Sequence, residues 1–256
     1  MIRPASYANG FAPRDGRPLY PSLWKGCLGA WAPCLGPTGL TLRDWSSGRK
    51  NGSLLDLPAS SAWSVNGGKY SLQFAGASNR VDLGNSISAL SGTRACTVAF
   101  WARRSTTTSA VTVSNVEGVE QYLAIALWTD GNVYFQVWPS TPSIADNSLG
   151  WNHWAMTLTA STLKGYRNGV EVLSAAGPAT IPTFTQSLML GFYGGGGVYS
   201  NGFADDLVLY NRAISPAEIR LLASRRGIAY ELAPRRRSSA AVQFNRRRRL
   251  LIGAGS

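Results

Sequence analysis

The chain has 256 residues, 45% of them hydrophobic and 15% charged, so it can bury a core and is not a disordered polyelectrolyte. Its 28 glycines and 9 tryptophans suit a turn-rich β-protein better than a helical bundle. The net charge of +12 is lopsided, with nine arginines and one glutamate after residue 224. No apolar run is long enough for a helix to span a membrane, and the basic start and apolar block of a secretion signal are missing.

Residues 1–22 are rich in Pro, Arg and Gly without periodicity and read as an extended arm. Residues 23–57 hold short apolar pieces between turn residues. Strands are then predicted at 70–74 and 80–83, and a strongly alternating, β-branched and aromatic one at 96–103. Residues 122–128 and 133–137 are joined by Asp130-Gly131, and 162–167 and 170–173 by Asn168-Gly169. Both dipeptides signal hairpins, because a type I′ turn needs positive φ at its two central residues. Strands at 153–159, 187–192 and 203–210 complete the set. Ser215-Pro216-Ala217-Glu218 is a capping box with Pro at the first helical position, so one short helix should start there and stop before Gly227. Many strands and one late helix make an all-β antiparallel sandwich the leading fold. The expected organisation is an arm over 1–22, a body over 23–224 and an Arg-rich extension over 225–256.

The cysteines are Cys27, Cys34 and Cys96, an odd number at low density, which argues against a disulfide scaffold. Cys27 and Cys34 are close enough in sequence to meet across a hairpin, but buried free thiols are the simpler reading.

Several segments resemble the laminin-G-like, concanavalin-A-like jelly rolls. They are Cys96-Thr97-Val98-Ala99-Phe100-Trp101, Trp151-Asn152-His153-Trp154-Ala155, the 163–172 hairpin, and the run from Phe203 through Asp205-Asp206 to Ser215 with the helix after it. The resemblance covers about 29–223. It implies a jelly-roll sandwich with a packed, hydrogen-bonded histidine at His153. The family's "F-D-G" turn is altered here to Phe74-Ala75-Gly76, which removes one oxygen ligand of a calcium site. The flanks, residues 29–46 and the arginine-rich end, resemble laminin-G-like proteins encoded in tailed-phage genomes. That implies a virion location and a structural role, as a capsid decoration or fibre component with virion neighbours and copies of itself as partners.

Chemistry is sparse. Glycoside hydrolysis needs two carboxylates facing each other across a cleft. Glu117 and Glu120 sit in a Gly-containing loop, and Asp205 and Asp206 are adjacent, so on a regular strand they point to opposite faces. His153, the single histidine, lies between Trp151 and Trp154 and reads as packing rather than as a catalytic base. No enzyme is expected. Asp44, Asp205 and Asp206 are the weak calcium candidates; the alternative is that they cap loop amides. No other cofactor is indicated. Gly194 to Gly197 lacks the lysine and following helix of a phosphate loop and reads as a flexible loop. With Tyr193 and Tyr199 beside it, and Trp128 and Trp138 at hairpin ends, it forms a candidate ligand loop for a host glycan. Trp31, Trp101 and Trp154 are expected in the core.

The arginine clusters are Arg235, Arg236 and Arg237, and Arg246, Arg247, Arg248 and Arg249, followed by Leu250, Leu251 and Ile252. Interleaved apolar residues favour docking on protein over binding nucleic acid, whose partners spread charge with few apolar groups.

Overall fold

Along Ala95–Arg104 the side chains alternate, and Cys96, Val98, Phe100 and Ala102 enter one core while Ala99 faces the other way. This strand pairs antiparallel with Asn152–Thr159 on one side, Trp154 opposite Phe100, and with Asn201–Tyr210 on the other, Leu209 opposite Val98. These are the three strands expected to form the heart of the sandwich. The structure is a computed structural model that describes residues 18–115 and 122–232. The arginine clusters and Leu250, Leu251 and Ile252 lie outside the described residues.

The central trio belongs to an eight-stranded antiparallel sheet. It is flanked by Thr162–Arg167 and Val170–Ala176 on one side, by Lys69–Ala75 and Trp63–Asn66 on the other, and Cys27–Trp31 pairs with Asn201–Tyr210. A second eight-stranded sheet runs in the order Ser143–Ala145, Asn132–Val137, Leu123–Leu127, Val111–Ser114, Met189–Leu190, Arg80–Asp82, Gly52–Leu55, Thr41–Leu42. The main core fills the space between the sheets, with Phe100, Trp154 and Leu209 meeting Val113, Ile125 and Phe135. Trp31 and Trp154 are buried as expected, whereas Trp101 is half-buried with its edge on His153.

The outer face of the first sheet is also dry. Ala99, Ala155, Val208 and Tyr210 are covered by Leu23 and Trp24, by Ile219 and Leu222 of the Pro216–Leu222 helix, and by Ile228, Ala229 and Tyr230. Ser215 caps that helix in the expected reciprocal box with Glu218. Arg212 grips the same Glu218 carboxylate at 2.7 and 2.9 Å and holds its carboxyl down to about 2.

The expected limits of the body, 23 and 224, are too narrow. Leu19 N–H donates to Glu231 O at 2.7 Å and Pro18 bridges Leu232, while residues 228–230 are buried. The sequence reading took residues 225–232 with the arginines that follow, but Ile228 and Tyr230 are core. The hairpins also differ from each other. Asn168 and Gly169 take φ 50° and 82°, the positive pair of a type I′ turn. Of Asp130 and Gly131 only the glycine has positive φ, at 81°, and the Asp130 carboxylate instead accepts Asn132 N–H at 2.8 Å.

Candidate functional site

Period-two alternation decides what the second sheet shows on its outer side. Leu123, Ile125 and Leu127 point into the core, so Tyr122, Ala124, Ala126 and Trp128 share the outer face. Val133, Phe135 and Val137 likewise point inward, leaving Tyr134, Gln136 and Trp138 outward. Val133 pairs with Leu127 and Val137 with Leu123, so Trp128 and Tyr134 gather at one end and Tyr122 and Trp138 at the other.

The Phe192–Tyr193 and Val198–Tyr199 hairpin folds onto this face. Ser114 Oγ–H donates to Phe192 O at 2.7 Å, and Thr112 N–H to Ser200 Oγ at 3.0 Å. Tyr193 then stands with its ring centroid 4.8 Å from that of Trp128, edge to face, and its hydroxyl donates to Gln136 Oε1 at 3.2 Å. Ala126, Trp128, Tyr134, Gln136 and Tyr193 enclose an open cleft of about 200 Å³. Tyr134 donates its hydroxyl to Asp130 Oδ2 at 2.7 Å. Burial pushes the phenols of Tyr193 and Tyr122 up, and the bond to Asp130 does so for Tyr134. All three are neutral donors at neutral pH. An aromatic wall beside neutral amide and hydroxyl groups on a small-residue floor suits a ligand with apolar faces and many hydroxyls.

Two of the four expected ligand residues, Trp128 and Tyr193, therefore meet in the cleft. Trp138 packs on Tyr122 at 5.2 Å at the other end of the sheet, and Tyr199 packs on Phe192 at 4.7 Å. Tyr134 and Gln136 were missed; their shared parity with Trp138 was the available signal.

Asp205 and Asp206 do not point to opposite faces. The strand bulges between Asp205 and Val208, and Asp206 takes φ 47°. Both carboxylates turn to Cys34. Its N–H donates to Asp205 Oδ1 at 2.9 Å and its thiol to Asp206 Oδ1 at 3.0 Å. Gly227 N–H donates to Asp206 Oδ2, and the buried Arg226 Nη1 lies 3.5 Å from Asp205 Oδ2. Burial pushes both carboxyls above the usual range, and burial followed by the two acids pushes the Cys34 thiol up. Cys34, Asp205 and Asp206 have ligand atoms within 4.8 Å of one another, but a protonated thiol and the cationic Arg226 beside them do not fit a metal ion. Cys27, Cys34 and Cys96 are all free.

Asp44 is saturated elsewhere. It accepts from Ala30 N–H (2.9 Å), Ser46 N–H (2.8 Å), Ser46 Oγ–H (2.8 Å) and Lys50 N–H (2.8 Å). The three acids thus serve loop amides and Arg226, and a calcium ion, which needs six to eight oxygens, finds no free set in them. Asp44→Ala should orphan buried amides and lower Tm by roughly 10 °C, while calcium or EDTA added to the wild-type protein leaves Tm unchanged. Differential scanning calorimetry checks both.

His153 is buried, and its environment pushes it down to about 3 through desolvation. Its ring is packed as expected, but Nδ1 has no hydrogen-bond partner, against the bonded imidazole that the resemblance implied. Glu117 and Glu120 lie outside the described residues. A second groove of about 290 Å³ runs between Leu35, Pro37, Trp45 and Trp63. It is mostly apolar, its Trp45 ring is already under Arg43 at 4.5 Å, and Trp63 Nε1–H is committed to Gly39 O at 3.0 Å.

Comparison with known proteins agrees with this architecture. Domain 4 of AbnA, a GH43 extracellular arabinanase from Geobacillus stearothermophilus solved with arabinotriose, superposes with TM-score 0.60 at 15% identity over 77% of this chain and 98% of that one. Trypanosoma rangeli sialidase, solved with 2,3-difluorosialic acid, gives TM-score 0.56 at 14% identity over 80% of this chain. A botulinum neurotoxin type C structure, described as dependent on two ganglioside molecules for cell entry, gives 0.55 at 12% identity over 77%. The chain spans 34% of the sialidase and 50% of the neurotoxin chain, so those proteins carry other parts as well. No curated protein matches in sequence. The family described as the Concanavalin A-like lectin/glucanases superfamily matches residues 75–220, more than half of the chain, and the protein belongs to that superfamily.

Proposed function

We propose that this protein is a non-enzymatic carbohydrate-binding module whose ligand lies in the cleft of Trp128, Tyr134, Gln136 and Tyr193. The observation that carries this is the aromatic pair at 4.8 Å standing over neutral hydrogen-bonding groups on an outer sheet face. The structurally similar arabinanase domain, solved with arabinotriose, supports it. Among the described residues, the carboxylate beside the cleft, Asp130, is tied to Tyr134 and Asn132, and His153 is on the other sheet, buried. Calorimetric titration with arabinotriose and other neutral oligosaccharides tests the reading. Trp128→Ala and Tyr193→Ala should each weaken binding by about tenfold or more with Tm little changed. Binding that survives both changes would place the ligand elsewhere.

The finer reading is a virion structural protein attached through its basic C-terminal segment. One observation favours it. Pro18 bridges Leu232, so residues 1–17 and 233–256 join the body at one place, where Leu23, Trp24 and Tyr230 cover the first sheet. The cleft is on the outer face of the second sheet, so a body held there presents the cleft away from its support. Residues 233–256 hold seven arginines and no acid. Changing these arginines to Ala should weaken particle attachment in a salt-sensitive way, and Leu250, Leu251 and Ile252 to Ser should weaken it with little salt dependence. Co-sedimentation with particles and with free DNA separates protein docking from nucleic-acid binding, which falls steeply with salt and is indifferent to the apolar change.

A further inference from the structure

We infer that the cleft selects an uncharged oligosaccharide, laid along the strand direction between two aromatic pairs, and disfavours sialylated or sulfated chains. This rests on the reading of the cleft as a glycan site and adds the ligand's charge and extent.

The charge follows from what lines the site. Trp128, Tyr134, Gln136, Tyr193 and Ala126 supply ring faces, one amide and phenols, and among the described lining residues there is no lysine or arginine. Recognition of a carboxylate or sulfate in a partly dry site requires a cation or a set of backbone amides to replace its hydration. Among the described residues, the Asp130 carboxylate stands at the cleft, where its Oδ2 accepts the Tyr134 hydroxyl at 2.7 Å. An anionic substituent beside it meets repulsion, whereas a neutral sugar hydroxyl meets Gln136 and the phenols. Tyr122, Tyr134 and Tyr193 are all raised from their ordinary values and do not ionise to change this balance near neutral pH.

The extent follows from the sheet. Tyr122 and Trp128 flank Leu123–Leu127 on the same face, six residues apart, which on an extended strand is about 20 Å. Between them the outward side chains on this strand are only Ala124 and Ala126, both buried, and Tyr193 reaches over them to Gln136, which lies opposite Ala124. Each end carries a ring pair: Trp128 with Tyr193 at 4.8 Å, Tyr122 with Trp138 at 5.2 Å. The Tyr193 hydroxyl reaches Gln136, which lies opposite Ala124, two residues from Tyr122, so the two ends belong to one surface. A single sugar occupies one ring pair; a chain of several bridges both.

The test uses the full-length protein and matched glycans: one neutral oligosaccharide series of increasing length, and the same chains with a terminal sialate or a sulfate. Binding is measured at about 0.15 and 0.5 M salt, because the arginine-rich termini attract anions without selectivity. The expected result is affinity that rises with length and falls about tenfold or more in Trp128→Ala. Tyr122→Ala should cost a similar factor for the long chains and little for the shortest. The charged forms should bind about tenfold more weakly at the cleft, and any residual binding they show should vanish at high salt and persist in Trp128→Ala. Tighter binding of a charged form that requires Trp128 and survives high salt would overturn the inferred neutrality while leaving the glycan site in place. Length-independent binding with no effect of Tyr122→Ala would overturn the inferred extent. Absence of binding by any chain, neutral or charged, would remove the glycan reading itself and this inference with it.

Discussion

Ending the chain after Ser224 should abolish a stable fold, whereas ending it after Pro234 should leave the melting curve nearly unchanged. The first cut removes Ile228, Ala229 and Tyr230, which are buried against Trp24, Val208 and Tyr210. Trp24 meets Tyr230 edge to face at 5.5 Å and donates Nε1–H to Ala229 O at 3.0 Å. Burying the two large side chains contributes roughly 1.5–3 kcal/mol each. The same cut removes Arg226, which sits 4.4 Å over the Trp151 ring and beside Asp205, and Gly227, whose N–H serves Asp206. Asp205 then loses its buried cation and Asp206 a buried N–H, while both keep Cys34, at a cost of roughly 3–5 kcal/mol for a broken buried pair. The sum rivals the whole stability of an ordinary domain, about 5–15 kcal/mol. Circular dichroism melts of the two truncated proteins measure this. A cooperative transition of the 1–224 chain near that of the full protein would show that the strap is peripheral.

Acid should weaken the protein through His153, in a way that a non-titrating residue removes. Burial holds this imidazole down to about 3 in the folded state, against an ordinary value of 6.5. Below 6.5 the unfolded chain binds a proton that the folded chain refuses, so stability contributed by neutral His153 is complete above pH 6.5 and is lost as pH falls toward 3. The full loss is roughly 5 kcal/mol. The groups facing the ring are Trp101, whose centroid is 5.5 Å away, and Asp206, Ile228 and Tyr230, which share a small cavity with it; Asn168 bonds its backbone. Asp205 and Asp206 act in the opposite sense. Their folded values are raised, so the stability they contribute is full below the unfolded carboxylate value and declines as pH rises. The comparison that isolates the histidine is therefore wild type against His153→Gln, by urea unfolding at pH 7, 5 and 4. Wild type should lose roughly 3 kcal/mol more than the variant between pH 7 and 4. Identical pH dependence of the two would show that His153 titrates normally.

Much of the architecture was readable from alternation. Residues 96–103, 153–159 and 203–210 are strands because β-branched and aromatic side chains recur with period two, and Ser215 with Glu218 marks the helix start without tertiary information. What escaped has local causes. Asp205 and Asp206 look like opposite-facing neighbours on a strand, and only a bulge with Asp206 at φ 47° brings them together. Bulges leave no reliable sequence signature for a non-glycine residue. The strap at 228–230 was masked by Arg225 and Arg226, which give the segment the charge of a tail although its apolar side chains complete a core. In the cleft, Trp128 and Tyr193 could be singled out as aromatic residues beside turns. Tyr134 and Gln136 become part of the site only through the pairing of Val133 with Leu127, and Tyr193 only because Ser114 anchors its hairpin to the sheet.

The most direct test of the cleft as a glycan site is a titration of the ¹⁵N-labelled protein with neutral oligosaccharides, following the tryptophan indole and backbone amide resonances. The expected result is a saturable shift of the Trp128 indole with the amides of Ala124, Ala126, Gln136 and Tyr193, while Trp24, Trp31 and Trp154, buried away from this face, stay in place. Shifts centred instead on Trp45 and Trp63, in the groove at the other side of the sandwich, or no shift at all at saturating sugar, would contradict it.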